Sequence, residues 1–185
     1  MKRLLSILGT ITIIATSTTS LIACDNIAEY TPEELTKLKE ENKIKTNNQE
    51  IRNNLEWIAP QEKPFNKIDN KYYYVVWRGN GNKWNLTKFK NNEKIIPTKE
   101  NNNNVFKCLD EQKENKLKLH YHGNLYAGKI INTDVDLINY ELSKKTNWPW
   151  RIDKGTYFKS VYRWNGDEQK LPNLDIEKNG NIKVK

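Results

Sequence analysis

Few residues in this chain have the types and spacing that chemistry needs. His120-Tyr121-His122 is the only histidine pair, and alternation along a strand would put both rings on one face. Two imidazoles so placed are a known way to present metal ligands. No Cys or third His follows at useful spacing, and Asp110, Glu111 and Glu114 read as ordinary surface charges. The expectation is therefore two polar strand residues beside a turn, with no metal and no cofactor. Cys108 lies in Val105-Phe106-Lys107-Cys108-Leu109, a strand-like run in which a cysteine would act as a small hydrophobe. There is no Gly-x-Ser-x-Gly elbow, and Gly79-Asn80-Gly81 lacks the strand–helix context of a phosphate-binding loop. No catalytic residue is assigned, and an enzyme is the less favoured class.

The aromatic residues carry more information. Six Trp, nine Tyr and four Phe in 185 residues argue for a folded chain, since disorder goes with aromatic poverty. In Trp148-Pro149-Trp150-Arg151 the proline fixes the backbone and would present two indoles from a loop beside a cation. Joined by His120, these residues could line a cleft that stacks on sugars or unpaired bases. The other reading, and the favoured one, is that Trp77, Trp84, Trp148, Trp150 and Trp164 fill a core poor in Leu and Ala. Each lies beside a predicted strand or helix end. The net charge of +8 could steer an anionic partner. Lys is spread along the chain rather than clustered, which speaks against nucleic acid.

The elements that must position these residues begin at a leader. Lys2 and Arg3 precede an apolar stretch, Leu4 to Ile14, and then small hydroxylated residues from Ala15 to Ser20, in the order of a secretory signal. Mean hydropathy of −0.89 excludes a polytopic membrane protein. Leu21-Ile22-Ala23-Cys24 resembles a bacterial lipobox. That resemblance implies a diacylglyceryl group on the Cys24 thiol and cleavage just before it, which removes Lys2 and Arg3 and leaves a mature side-chain charge two lower. One acyl chain holds a protein only marginally whereas two give stable attachment, each buried methylene contributing about 0.8 kcal/mol. Asn and Lys are heavy and Ala scarce, as in AT-rich genomes. With the Met1-Lys2-Arg3-Leu4-Leu5-Ser6-Ile7-Leu8-Gly9 opening and the segments Tyr72-Tyr73-Tyr74-Val75-Val76-Trp77-Arg78-Gly79 and Val161-Tyr162-Arg163-Trp164-Asn165-Gly166-Asp167, the chain resembles surface lipoproteins of wall-less bacteria, the mollicutes, particularly the spiroplasma type. The resemblance implies a lipid-anchored protein on the outer face of the cell membrane and carries no activity with it.

The mature chain predicts an α+β fold. Thr31-Pro32-Glu33-Glu34 starts a helix with a capping box, and apolar residues from Leu35 to Ile58 continue it as one broken helix or two short ones before Pro60. Residues 24–60 read as a lipid-anchored tether and helical spacer; alternatively, Ile51, Leu55 and Ile58 pack on the domain C-terminal to them. Residues 61–185 read as a β-rich extracellular domain, antiparallel and built from hairpins, expected to fold alone. Hairpins are predicted at 72–78 with 84–89, at 117–121 with 125–131 through His122-Gly123-Asn124, at 156–164 with 168–171 through Asn165-Gly166, and near Asn179-Gly180. Residues 98–104 read as a surface loop. Thr133-Asp134-Val135-Asp136 reads as a second capping box opening a short helix with Val135, Ile138 and Leu142 on one face. Trp77-Arg78 and Arg163-Trp164 suggest a weak internal repeat. The functional expectation is a binding or interaction module facing a host or environmental macromolecule. The alternative is an extracellular protein or hydrolase that captures nucleic acid or glycan in an aromatic, basic cleft.

Overall fold

The computed structural model describes residues 29–95, 105–126 and 129–185. The leader, the lipobox with Cys24 and the predicted loop at 98–104 lie outside the described residues.

Two short helices come first, one of the two arrangements the sequence leaves open, and the first starts at the predicted cap. In α1 (Pro32–Glu41) the Thr31 hydroxyl accepts from the Glu34 N–H at 3.2 Å and the Glu34 carboxylate accepts from the Thr31 N–H at 2.8 Å. The side chain of Asn48 caps α2 (Gln49–Asn54), its amide oxygen accepting from the Ile51 N–H at 3.2 Å. Ten strands come after them: β1 (Leu55–Trp57), β2 (Tyr72–Arg78), β3 (Trp84–Lys90), β4 (Phe106–Glu111), β5 (Asn115–Tyr126), β6 (Lys129–Glu141), β7 (Thr146–Pro149), β8 (Phe158–Trp164), β9 (Leu174–Ile176) and β10 (Ile182–Val184). They form two four-stranded sheets, in the orders β1-β8-β2-β3 and β4-β5-β6-β7, and a β9–β10 hairpin. Every ladder among the described residues is antiparallel.

The first sheet is buried on both faces. One face presents Tyr73, Val75 and Trp77 of β2 and Phe158 and Val161 of β8 to Leu117, Leu119 and Leu137 of the second sheet. The other face, with Leu55, Tyr74, Tyr162 and Trp164, packs against Ile44, Ile51 and Leu174. A strand wet on one side would alternate apolar with polar residues; β2 is central and dry on both, which is why it reads as an unbroken aromatic and aliphatic run. Of the two roles open to Ile51, Leu55 and Ile58, packing on the sheets is the one they take, each at most 6% exposed. Residues 55–57 pair with Trp164, Arg163 and Tyr162 as an edge strand.

Three sequence expectations are corrected. Residues 133–142 are not a helix; 129–141 form β6, paired with β5 from Asn115–Glu141 to Tyr126–Lys129. The spacing of Val135, Ile138 and Leu142 fits a helix, but Val135 and Leu137 also alternate toward the core, and the neighbouring strand fixes that period. The turn expected at His122-Gly123-Asn124 is a bulge inside β5, where the register shifts between His122 and Asn124. Asn165-Gly166 does not join a hairpin, because β8 pairs with β1 and β2 and residues 168–170 form a 3-10 turn. There the Trp164 indole N–H donates to the Asp167 carbonyl at 2.9 Å, folding the chain back over the ring. A Cβ at Gly166 would lie 2.5 Å from the Trp164 ring, so this glycine serves close approach. The hairpins at β2–β3 and β9–β10 are as predicted. The supposed repeat is two neighbouring strands, with Tyr72 opposite Trp164, alike because they share one environment.

Candidate functional site

The main polar cluster forms where β6 lacks a strand neighbour. β7 covers β6 only from Ile138 to Glu141. Beyond that, two single 3-10 turns, Pro64–Asn66 and Trp150–Ile152, pack against the exposed edge. Side chains replace the missing ladder. The Asn66 amide oxygen accepts from the Val135 N–H at 2.8 Å while its nitrogen donates to Asp134 at 2.8 Å, and the Lys63 ammonium reaches the other Asp134 oxygen at 3.0 Å. Asp136 accepts from the backbone N–H of Leu137 at 2.8 Å and of Arg151 at 3.3 Å, with the Arg151 Nε 3.8 Å away.

Cross-strand pairing brings the histidines to the same place. His120 lies opposite Asp136 and His122 opposite Asp134, so all four side chains share one face. The two rings meet edge to face, with His120 Nδ1 and His122 Nε2 3.2 Å apart. Burial holds the His122 pKa down at about 4, helped by His120 and Arg151 and opposed by Asp134. His120 is lowered too, by burial and then by Lys118. Asp136 is 6% exposed, and burial pushes its carboxyl up to about 7 against the pull of Arg151 and of the two backbone N–H groups. For Asp134, burial raises the carboxyl, but Asn66, Lys63 and Arg151 outweigh it and keep its pKa below the usual value.

The arrangement therefore holds a proton on Asp136 near neutrality beside two uncharged imidazoles and a guanidinium. The adjoining cavity, lined by Phe65, Val135, Asp136, Trp150 and Arg151 among others, measures about 20 Å³, space for one water and not for a substrate. Among the described residues no group of three or more His, Cys, Asp or Glu could hold a metal ion.

The structure brings together part of what the sequence grouped. Arg151 and His120 belong to this cluster, and Trp150 walls its cavity while packing in the core at 6% exposure, 6.1 Å from the Phe65 ring. Trp148 goes elsewhere. It stacks on Tyr157 at 4.6 Å and 13°, and its indole N–H donates to Glu141 at 3.3 Å. β7 ends at Pro149 and Trp150 opens a 3-10 turn, so the two indoles are not presented side by side. Cys108 is also corrected: it lies on edge strand β4 but is exposed, not packed as a small hydrophobe. Asp134 and Asp136 were missed because they were assigned to a helix; the signal for them is Asp-x-Asp alternation that matches His-x-His on the neighbouring strand. Comparison with protein-family models, with curated proteins and with solved structures gives no match.

The opposed shifts make a pH prediction. A carboxyl raised on folding loses stability as pH climbs from about 4 to about 7, because the unfolded chain gives up its proton first. A histidine lowered on folding loses stability as pH falls from about 6.5 to about 4. Between those limits the Asp136 slope opposes those of His122 and His120, so urea midpoints of the parent should fall less on acidification than those of a variant lacking this carboxyl. Asp136→Asn removes the first slope and should lose stability steadily on acidification from pH 6.5 to 4.5. A variant with the parent's pH profile would refute this account of Asp136.

Proposed function

We propose that this protein is a surface lipoprotein held to the outer face of the cell membrane through a diacylglyceryl group on Cys24, with its β domain acting as an interaction module for a host or environmental macromolecule. The observation that carries the anchoring is Leu21-Ile22-Ala23-Cys24 placed after a positive and then an apolar segment. No helix among the described residues is long and apolar enough to cross a membrane.

Support for an interaction module comes from where the aromatic and basic side chains go. Trp77, Trp150 and Trp164 are buried at 0, 6 and 1%, and Trp148 lines one concavity, with Tyr157 and Lys154, while Arg151 lines another. Many lysines are engaged in local ion pairs, such as Lys39 with Glu56 and Glu62, Lys90 with Glu168 and Lys107 with Glu93. Capture of nucleic acid or glycan in an aromatic, basic cleft is thereby disfavoured.

Cys24→Ser should abolish palmitate labelling and leave a larger, unacylated precursor. Labelling equal to the parent's would sink the anchoring. A pull-down from host-surface extract with the unacylated protein tests the module, since specific, saturable retention of one macromolecule is expected.

A further inference from the structure

A second cleft lies far along the chain from the histidine–aspartate cluster, over the outer face of the first sheet. Three segments enclose it: the link between α1 and α2, the start of β8, and the β9–β10 turn with the first residues of β10. Its volume is about 300 Å³, and its walls carry Lys43, Lys45, Lys159 and Lys183 with Ser160 between them. Two carboxylates, Glu41 and Glu177, also border it.

The local pairs settle the charge. Glu41 pairs with Lys37 at 3.7 Å and Lys43 with Glu40 at 3.1 Å, so these cancel. Among the described residues Lys45, Lys159 and Lys183 have no ion pair, which leaves three ammonium groups against the single carboxylate of Glu177. Like charges around one concavity repel unless a counter-ion joins them, and a concavity lined mainly by one sign focuses its field on an incoming ion.

We propose that this cleft binds a phosphate-type oxyanion, free or as a phosphate ester. The three lysines come from three separate segments, the α1–α2 link, β8 and β10. A planar carboxylate offers two oxygens in one plane, whereas a phosphate spreads its oxygens in three dimensions. Lysine, a compact point charge on a flexible stem, suits such a ligand.

The test uses the mature chain carrying Cys24→Ser, so it does not depend on lipidation. Inorganic phosphate is titrated while the amide resonances of Gly180, Asn181 and Ile182 are followed, and sedimentation is measured with vesicles of phosphatidylcholine alone or with phosphatidylglycerol. The comparison variants are Lys45→Gln/Lys159→Gln/Lys183→Gln and, as a charge-matched control, Lys83→Gln/Lys113→Gln/Lys154→Gln. The cleft variant should weaken binding by about tenfold or more, equivalent to about 1.4 kcal/mol, and the control should not. Saturable shifts with phosphate identify a free anion as ligand; sedimentation only with phosphatidylglycerol vesicles, lost in the cleft variant, identifies a lipid headgroup. Absence of both signals, or an equal loss in the control, overturns the proposal.

Discussion

A chain trimmed to residues 61–185 should fail to fold cooperatively at 25 °C. The cut removes Ile44, Ile51, Leu55 and Ile58, which are 4, 6, 2 and 1% exposed. Burying each such side chain contributes about 1.5–3 kcal/mol, roughly 6–12 kcal/mol together. That is comparable with the whole net stability of an ordinary domain, about 5–15 kcal/mol. The loss is not only apolar. Strand β1 leaves β8 as an unpaired edge, the Ile58 N–H no longer donates to Val161 at 2.9 Å, and the Tyr162 hydroxyl loses the Asn42 carbonyl at 2.9 Å. Glu56, whose pKa is held near 2 by Lys39, Asn165 and Arg163 against the effect of burial, also goes and strands Arg163. Circular dichroism and urea titration decide it: a sheet-rich spectrum with a midpoint near the parent's would show that the first sheet closes without this segment.

Trp77→Ala should be the most damaging single substitution. The side chain is fully buried between the sheets, and truncating such a residue costs about 3–5 kcal/mol through lost burial and the cavity left behind. Its indole N–H donates to the Thr87 hydroxyl at 2.8 Å, which in turn donates to Asp110 at 2.6 Å. The relay ties β2 and β3 of one sheet to β4 of the other. A melting point about 10 °C or more below the parent's is expected for a chain of this size. Trp77→Phe keeps most of the volume but breaks the relay, and should fall between the two. Alanine and phenylalanine variants melting together near the parent's temperature would mean the core repacks around the gap.

Local signals made some of the fold legible, and others misled. The Thr31 box and the β2 run were readable because caps and double burial leave marks within a few residues. β1 was not, since Leu55-Glu56-Trp57 follows α2 directly and becomes a strand only because β8 offers it an edge. β6 reads as a helix because Val135, Ile138 and Leu142 fit that period while Val135 and Leu137 fit a strand's, and only the partner strand chooses. The same error hid the candidate site: Asp134 and Asp136 reach His122 and His120 through register, a non-local property. Arg151 was singled out for its neighbours in sequence, Trp148 and Trp150, yet its working neighbours are carboxylates fifteen or more positions away.

The Tyr30 backbone is clamped at both ends by one side chain: its N–H donates to the Gln61 amide oxygen at 2.7 Å and its carbonyl accepts from the Gln61 amide nitrogen at 2.9 Å. Five residues separate the clamp from Cys24, six Cα–Cα steps with a covalent reach of about 20 Å. Under the proposed lipidation this is a leash shorter than the roughly 40 Å breadth of a folded body this size. Such a molecule rolls on the bilayer rather than standing clear of it, and visitors from outside meet chiefly the hemisphere turned away from the lipid.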